Sequence, residues 1–349
     1  MWLFDKMNTT TNDSTRKRVS WVDYGKCFCM LMVILSHTWG YYTGNSNLFL
    51  ELMKPTRLLV FFFISGYLIK LESFDFKKMM SSICKKLLFP YFVFTIIIWI
   101  PKHIVRGDDL AFEAMFLDIF GGYASWFVAA LAVAKITFAI ILRFTKNLKT
   151  IWLICAVLVL GGFVLTDFCG TLPWNANKGL VALFYLAMGL TYKRYEDKLS
   201  KKMWLQAILS VVVYFLCVTL DHFVLHKSTY LFNLGVDQVS FVGVSTFVFL
   251  SLLGIWMMVS LVKLLPAGIR WMTYIGKNSL TYYYLNTGLL TVLILIMGKV
   301  GLGYSGNDWI TLGLFLLVVG LLTIVSKLIM HFAPWMAGNF NSKSIHQPK

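Results

Sequence analysis

The residues that could do chemistry in this chain begin with a lysine and a histidine in one apolar stretch. In DYGKCFCMLMVILSHTWGYY, residues 23–42, Lys26 and His37 stand eleven positions apart. At about 100° per residue, eleven residues make three turns plus about 20°, so both side chains lie on one helical face, about 16 Å apart along the axis. Asp23 falls on the same side. Histidine takes a proton near neutral pH and is the usual general base for a hydroxyl attacking an acyl carbon. Lysine at the far end of such a helix suits a phosphate or another anion. The plain alternatives are that Lys26 snorkels to headgroups or pairs with Asp23, and that His37 bonds to a neighbouring helix.

Four further stretches carry polar groups beside apolar ones. FFFISGYLIK, residues 61–70, places Ser65 and Gly66 in a short aromatic helix, where small residues allow close backbone approach. CKKLLFPY, residues 84–91, sets Lys85 and Lys86 ahead of Pro90 as a cationic mouth. YASWFVAAL, residues 123–131, puts Trp126 at a helix end, where an interfacial aromatic belt accounts for it equally well. YIGKNSLTYYYLN, residues 274–286, has Ser279 placed to cap a helix into which Tyr283 and Asn286 reach. The six cysteines show no spacing of a disulfide framework or a metal site, and most behave as small hydrophobes in apolar runs, so no metal is expected.

The elements that must position these groups are membrane helices. The 349 residues are 58% hydrophobic and 14% charged, with mean hydropathy +0.71; a soluble domain has about 25% charged residues. Long apolar runs recur, which predicts an all-α, polytopic transmembrane bundle of about ten spans. They are expected near 22–42, 56–71, 87–105, 124–142, 150–166, 178–192, 203–220, 240–264, 279–298 and 308–332. The short second and sixth spans are expected either to tilt little or to be partly shielded by neighbours. Residues 1–20 form a polar cytoplasmic segment, 21–332 the membrane domain, and 333–349 a cytoplasmic tail.

The net charge of +16 could suggest nucleic acid, but the cations sit in short loops between spans. With both termini placed in the cytoplasm, 24 of the 32 lysines and arginines fall on that side and seven on the other, which is the positive-inside pattern. Lys135 is the remaining one, inside a span. The basic segment 70–86 can lie against anionic lipid of the inner leaflet. The outer loops 106–123 and 221–239 hold acidic residues, including Asp118, but no soluble domain, so chemistry must occur within the bundle or at its mouths.

Taken together these residues resemble the acyltransferase 3 family, integral-membrane enzymes that O-acylate surface carbohydrates. The landmarks are Lys26 and His37 in the first span, Phe61 to Tyr67 in the second, Lys85 and Lys86 running into Pro90, Trp126 with Phe127, and Gly276 to Leu280 leading into an aromatic helix. The set looks closest to the fucose 4-O-acetylase-like members. Arginine often stands in the family where Lys26 does, and histidine where Asn286 does; asparagine can orient a partner but cannot take a proton at neutral pH. The resemblance implies a multi-pass protein of the bacterial cytoplasmic (inner) membrane. It implies an acyl-CoA donor, acetyl-CoA first, used as substrate with no bound cofactor. The acceptor it implies is a hydroxyl of a surface or lipid-linked glycan. On this reading CoA phosphates meet Lys26, Lys85 and Lys86, Ser65 and Gly66 let the donor approach, His37 is the base, Trp126 stacks on sugar, and Asp23, Tyr283 and Asn286 support. The competing expectations are a transporter or flippase with His37 as a proton-coupling site, and a scaffold without chemistry.

Overall fold

The computed structural model describes residues 19–44, 47–106, 111–226, 240–303 and 307–340, and among these every regular element is helical. The polar N-terminal segment through residue 18 and the end of the tail, 341–349, lie outside the described residues, as do Asp108, Asp109, Asp237 and Lys227 of the two outer loops. In chain order the helices are α1 (Ser20–Thr43), α2 (Leu48–Leu52), α3 (Leu59–Tyr67), α4 (Phe76–Ile83), α5 (Phe89–Arg106), α6 (Phe112–Phe120), α7 (Trp126–Phe144), α8 (Leu148–Cys169), α9 (Ala176–Leu199), α10 (Met203–Leu220), α11 (Phe241–Leu264), α12 (Arg270–Lys277), α13 (Ser279–Lys299) and α14 (Asp308–Phe332).

Among the described residues, seven helical stretches are long and apolar enough to cross a membrane: Phe76–Ile100 and those beginning at Trp126, Leu148, Met203, Phe241, Ser279 and Asp308. The 24-residue helices α1 and α9 match expected spans in position but fall outside that set. Both are enclosed by other helices: α1 packs against α12, α13 and α14, and α9 against α3, α7 and α8. A helix surrounded by protein does not need an apolar surface all round, which is why its composition is more mixed. The outward helices α8, α10 and α14 instead show leucine and valine to the exterior, as at Leu160, Leu216 and Leu316.

The second expected span, 56–71, is helical only over Leu59–Tyr67 and is entered through turns from residue 53. This short helix is held by a reciprocal pair of glycines. A Cβ on Gly66 would overlap the Leu186 carbonyl of α9, and a Cβ on Gly189 would overlap the Phe63 carbonyl of α3. The two backbones therefore touch where side chains would separate them. Gly276 does the same for α12, whose backbone lies on the Asp23 carbonyl of α1.

The expected span near 87–105 begins earlier, because α4 runs into α5 through a π-turn at Cys84–Leu88. Pro90 has no N–H to bond the Lys86 carbonyl four residues back, and Phe89 N–H instead reaches the Cys84 carbonyl. The expectation that Ser279 caps a helix is corrected. Asn278 is the cap position, with no side-chain cap bond, and its backbone N–H returns to Tyr274 O, so α12 passes almost directly into α13 and Ser279 is its first residue.

Candidate functional site

His37 lies in the last two turns of α1, half-buried, and lines an interior cavity of about 290 Å³. Behind the imidazole, Asn286 of α13 brings its amide Nδ2 to 3.2 Å from Nδ1. Asn286 is fully buried, and its Oδ1 has no hydrogen-bond partner. In front, the Tyr41 ring stacks on the imidazole at 6.0 Å between centroids. The helical period makes this contact, since residues 37 and 41 are one turn apart.

The opposite walls come from distant parts of the chain. Trp126 opens α7 and Tyr283 belongs to α13; both line the cavity, joined through Ser125, whose hydroxyl donates to Tyr283 Oη at 3.4 Å. Lys178 sits 5.3 Å over the Trp126 ring. Trp99 of α5 donates its indole N–H to Asp118 at 3.2 Å, fixing that carboxylate in the wall. The α6 segment holding Asp118 is pinned by Tyr91 Oη donating to Ile119 O at 2.7 Å and by Trp174 Nε1 donating to Phe120 O at 2.9 Å.

Arg57 completes the site. It lies in the turn before α3, donates to Ser36 Oγ, lines the cavity and is within electrostatic range of His37. Among the described residues it forms no ion pair. Sequence reasoning counted Arg57 and Asp118 only as outer-loop charges. The signal that could have found Arg57 was its place eight residues before Ser65, at the mouth of a helix too short to span the membrane alone.

The other sequence-derived candidates lie elsewhere. Lys26 is on the same α1 face, eleven residues towards the N-terminus, and Asp23 is buried a turn below it. Gly66 is occupied by packing on Leu186, and Ser65 is half-buried outside the cavity. Lys85 and Lys86 line a second, open cavity of about 870 Å³ together with Lys77, Lys78, Ser81 and Ser82. The chain after α14 covers its rim: Gly338, at φ 76°, turns so tightly against the Lys85 carbonyl that a Cβ there would collide with it.

An all-helical, multi-pass membrane protein with an oriented histidine in an interior cavity is thus defined by fold and site. The chain belongs to the acyltransferase 3 family: the family model, described as an acyltransferase domain, matches residues 19–331, which include every residue lining the His37 cavity. No curated protein and no solved structure matches it.

Proposed function

We propose that the protein is an O-acyltransferase that moves an acetyl group from cytoplasmic acetyl-CoA to a hydroxyl of a surface or lipid-linked glycan. The observation that carries this reading is the His37–Asn286 pair in a cavity shared with Arg57, Trp126 and Asp118. The acceptor oxygen attacks the thioester carbonyl carbon while His37 takes its proton. The tetrahedral oxyanion then collapses, the C–S bond breaks, and the imidazolium returns the proton to the leaving thiolate.

Asn286 sets the tautomer. Turning its amide end for end is isosteric; it gives the orphan Oδ1 the Nδ1–H of the imidazole and leaves Nε2 as the basic nitrogen. Arg57, without a carboxylate partner among the described residues, supplies positive charge where the oxyanion develops. The aromatic faces of Trp126 and Trp99, with the Asp118 carboxylate between apolar walls, suit a sugar ring with its hydroxyls. The donor enters from the cytoplasmic side, its phosphates near Lys26, Lys85 and Lys86, with its thioester about 16 Å further along α1 at His37. On this reading the protein works across the bacterial cytoplasmic membrane.

The test is transfer of labelled acetyl from acetyl-CoA to glycan acceptors by purified protein in lipid nanodiscs. His37→Gln is expected to lower turnover by about 10² to 10⁴-fold while retaining CoA binding. Full turnover in that variant removes the base assignment. Movement of a glycan across the bilayer without covalent change supports the transporter instead.

A further inference from the structure

Lys135 is the lysine that belongs to no loop. It is the tenth residue of the 19-residue α7, half-buried, and its four-carbon stem starts too far from either helix end to reach a headgroup. Among the described residues it makes no hydrogen bond and no ion pair. Its charged neighbours within electrostatic range are instead two more lysines, Lys26 of α1 and Lys86 of the π-turn. Lys26 and Lys135 are half-buried, and Lys86 is exposed where the cluster meets the open cavity; like charges within electrostatic range repel one another, so the cluster is stabilised by an anion placed between them.

The register of two helices places this cluster relative to the catalytic cavity. His37 of α1 and Trp126 of α7 line the same cavity. Lys26 lies eleven residues back along α1 and Lys135 nine residues on along α7, about 16 Å and about 14 Å of helix. The two lysines thus stand at similar helical distances from the shared cavity, and α7 packs against α4 and against the π-turn that carries Lys86. Lys86 also lines the open cavity with Lys77, Lys78 and Lys85, so the interior cluster and the exterior mouth share a residue.

We propose that Lys135, with Lys26 and Lys86, forms an interior site for the phosphate groups of the acyl donor, and that the lysine-lined cavity is its entrance. This rests on the acyl-CoA reading above. The ligand chemistry is phosphate; a diphosphate linkage suits it, because two adjacent anionic groups match three cations on separate elements. Lys135 holds the anionic end while the uncharged arm reaches His37.

The experiment measures binding of labelled, unacylated CoA to the purified chain in nanodiscs, without turnover. Lys135→Gln is expected to weaken CoA binding roughly 10- to 100-fold, the range for a hydrogen bond to a charged group, and to flatten its salt dependence. Lys135→Arg should restore most of it, and Lys135→Met should match the glutamine variant, each with an unchanged melting profile as evidence of folding. The KM for S-acetylpantetheine, which lacks phosphates, should not move. CoA binding unchanged in Lys135→Gln overturns the inference while leaving the donor reading intact. Wild-type protein that binds no CoA overturns the donor reading, and this inference with it. Comparing phosphatidylcholine with phosphatidylglycerol nanodiscs separates the sources of phosphate. Loss of retained phosphatidylglycerol in Lys135→Gln, with CoA binding unaffected, assigns the site to a lipid headgroup and also overturns the proposal.

Discussion

Two lysines inside this bundle meet opposite surroundings. Lys263 of α11 is almost covered, and everything around it answers its charge. Glu196 accepts at 2.7 Å, Tyr192 Oη and Ser200 Oγ each accept at 2.7 Å, and the faces of Trp21 and Tyr192 lie 5.3 and 4.8 Å away. Tyr67 Oη donates to the other Glu196 oxygen at 2.7 Å, which ties α3 into the same network. Lys135 of α7 makes no ion pair among the described residues, and the charges acting on it there are those of Lys26 and Lys86. A buried cation whose needs are met by protein holds helices together; one that faces other cations is left for a ligand. Arg57, beside His37, donates to Ser36 Oγ and, like Lys135, makes no ion pair among the described residues.

The sharpest way to break this comparison is stability. Lys263→Ala strands the Glu196 carboxylate and two hydroxyls, and should destabilise the protein by about 3 kcal/mol in detergent unfolding, because a buried charge loses its counter-ion. Joint replacement of Lys263 and Glu196 by Met and Leu should recover much of that loss. Lys135→Gln should leave stability unchanged or raise it, since it removes repulsion. Equal destabilisation by the two single variants would erase the distinction.

A kinetic measurement extends the contrast to Arg57. Arg57→Gln should lower kcat about 30-fold with little change in the donor KM, as expected for a charged hydrogen-bond donor that acts on the transition state. A change confined to the acceptor KM would make Arg57 a reader of the glycan rather than of the oxyanion.

The smallest effect concerns the mouth of the lysine cavity. Asp75 caps α4, accepting from Lys78 N–H at 3.0 Å, and it pairs with the Lys78 ammonium at 3.4 Å. The backbone N–H of Lys78 is the main reason its carboxyl is held below the usual carboxylate range. A depressed folded pKa means stabilisation that is present above the unfolded value and lost as pH falls through the folded one. Amide protection over Phe76–Met79, taken relative to the intrinsic exchange rate at each pH, should therefore fall as pH drops into the acid range. Asp75→Ala should show the low protection at neutral pH too.

The shared face of Lys26 and His37 was legible in the sequence because helical periodicity is local, and so was the helical, membrane-spanning class, because apolar composition declares it. The basis of the short α3 was half legible. The Gly66 signal was visible, but not that α9 would supply Gly189 to meet it. Ser279 showed the opposite failure: a good capping residue stands there, but α12 runs into α13 and leaves it no cap to make.

Sequence by itself determined which helices hold the candidate residues, how far apart the histidine and lysine stand on one of them, and which family the chain resembles. Only the tertiary structure decided what faces them. Asn286 reaches His37 across 249 positions of chain, and Arg57 and Asp118 turn from loop charges into cavity walls. Lys135 turns from an anomaly in α7 into a neighbour of Lys26. Periodicity acts through a few backbone bonds and is written locally, whereas the company a charge keeps depends on how separate helices pack, and no short stretch of sequence records that.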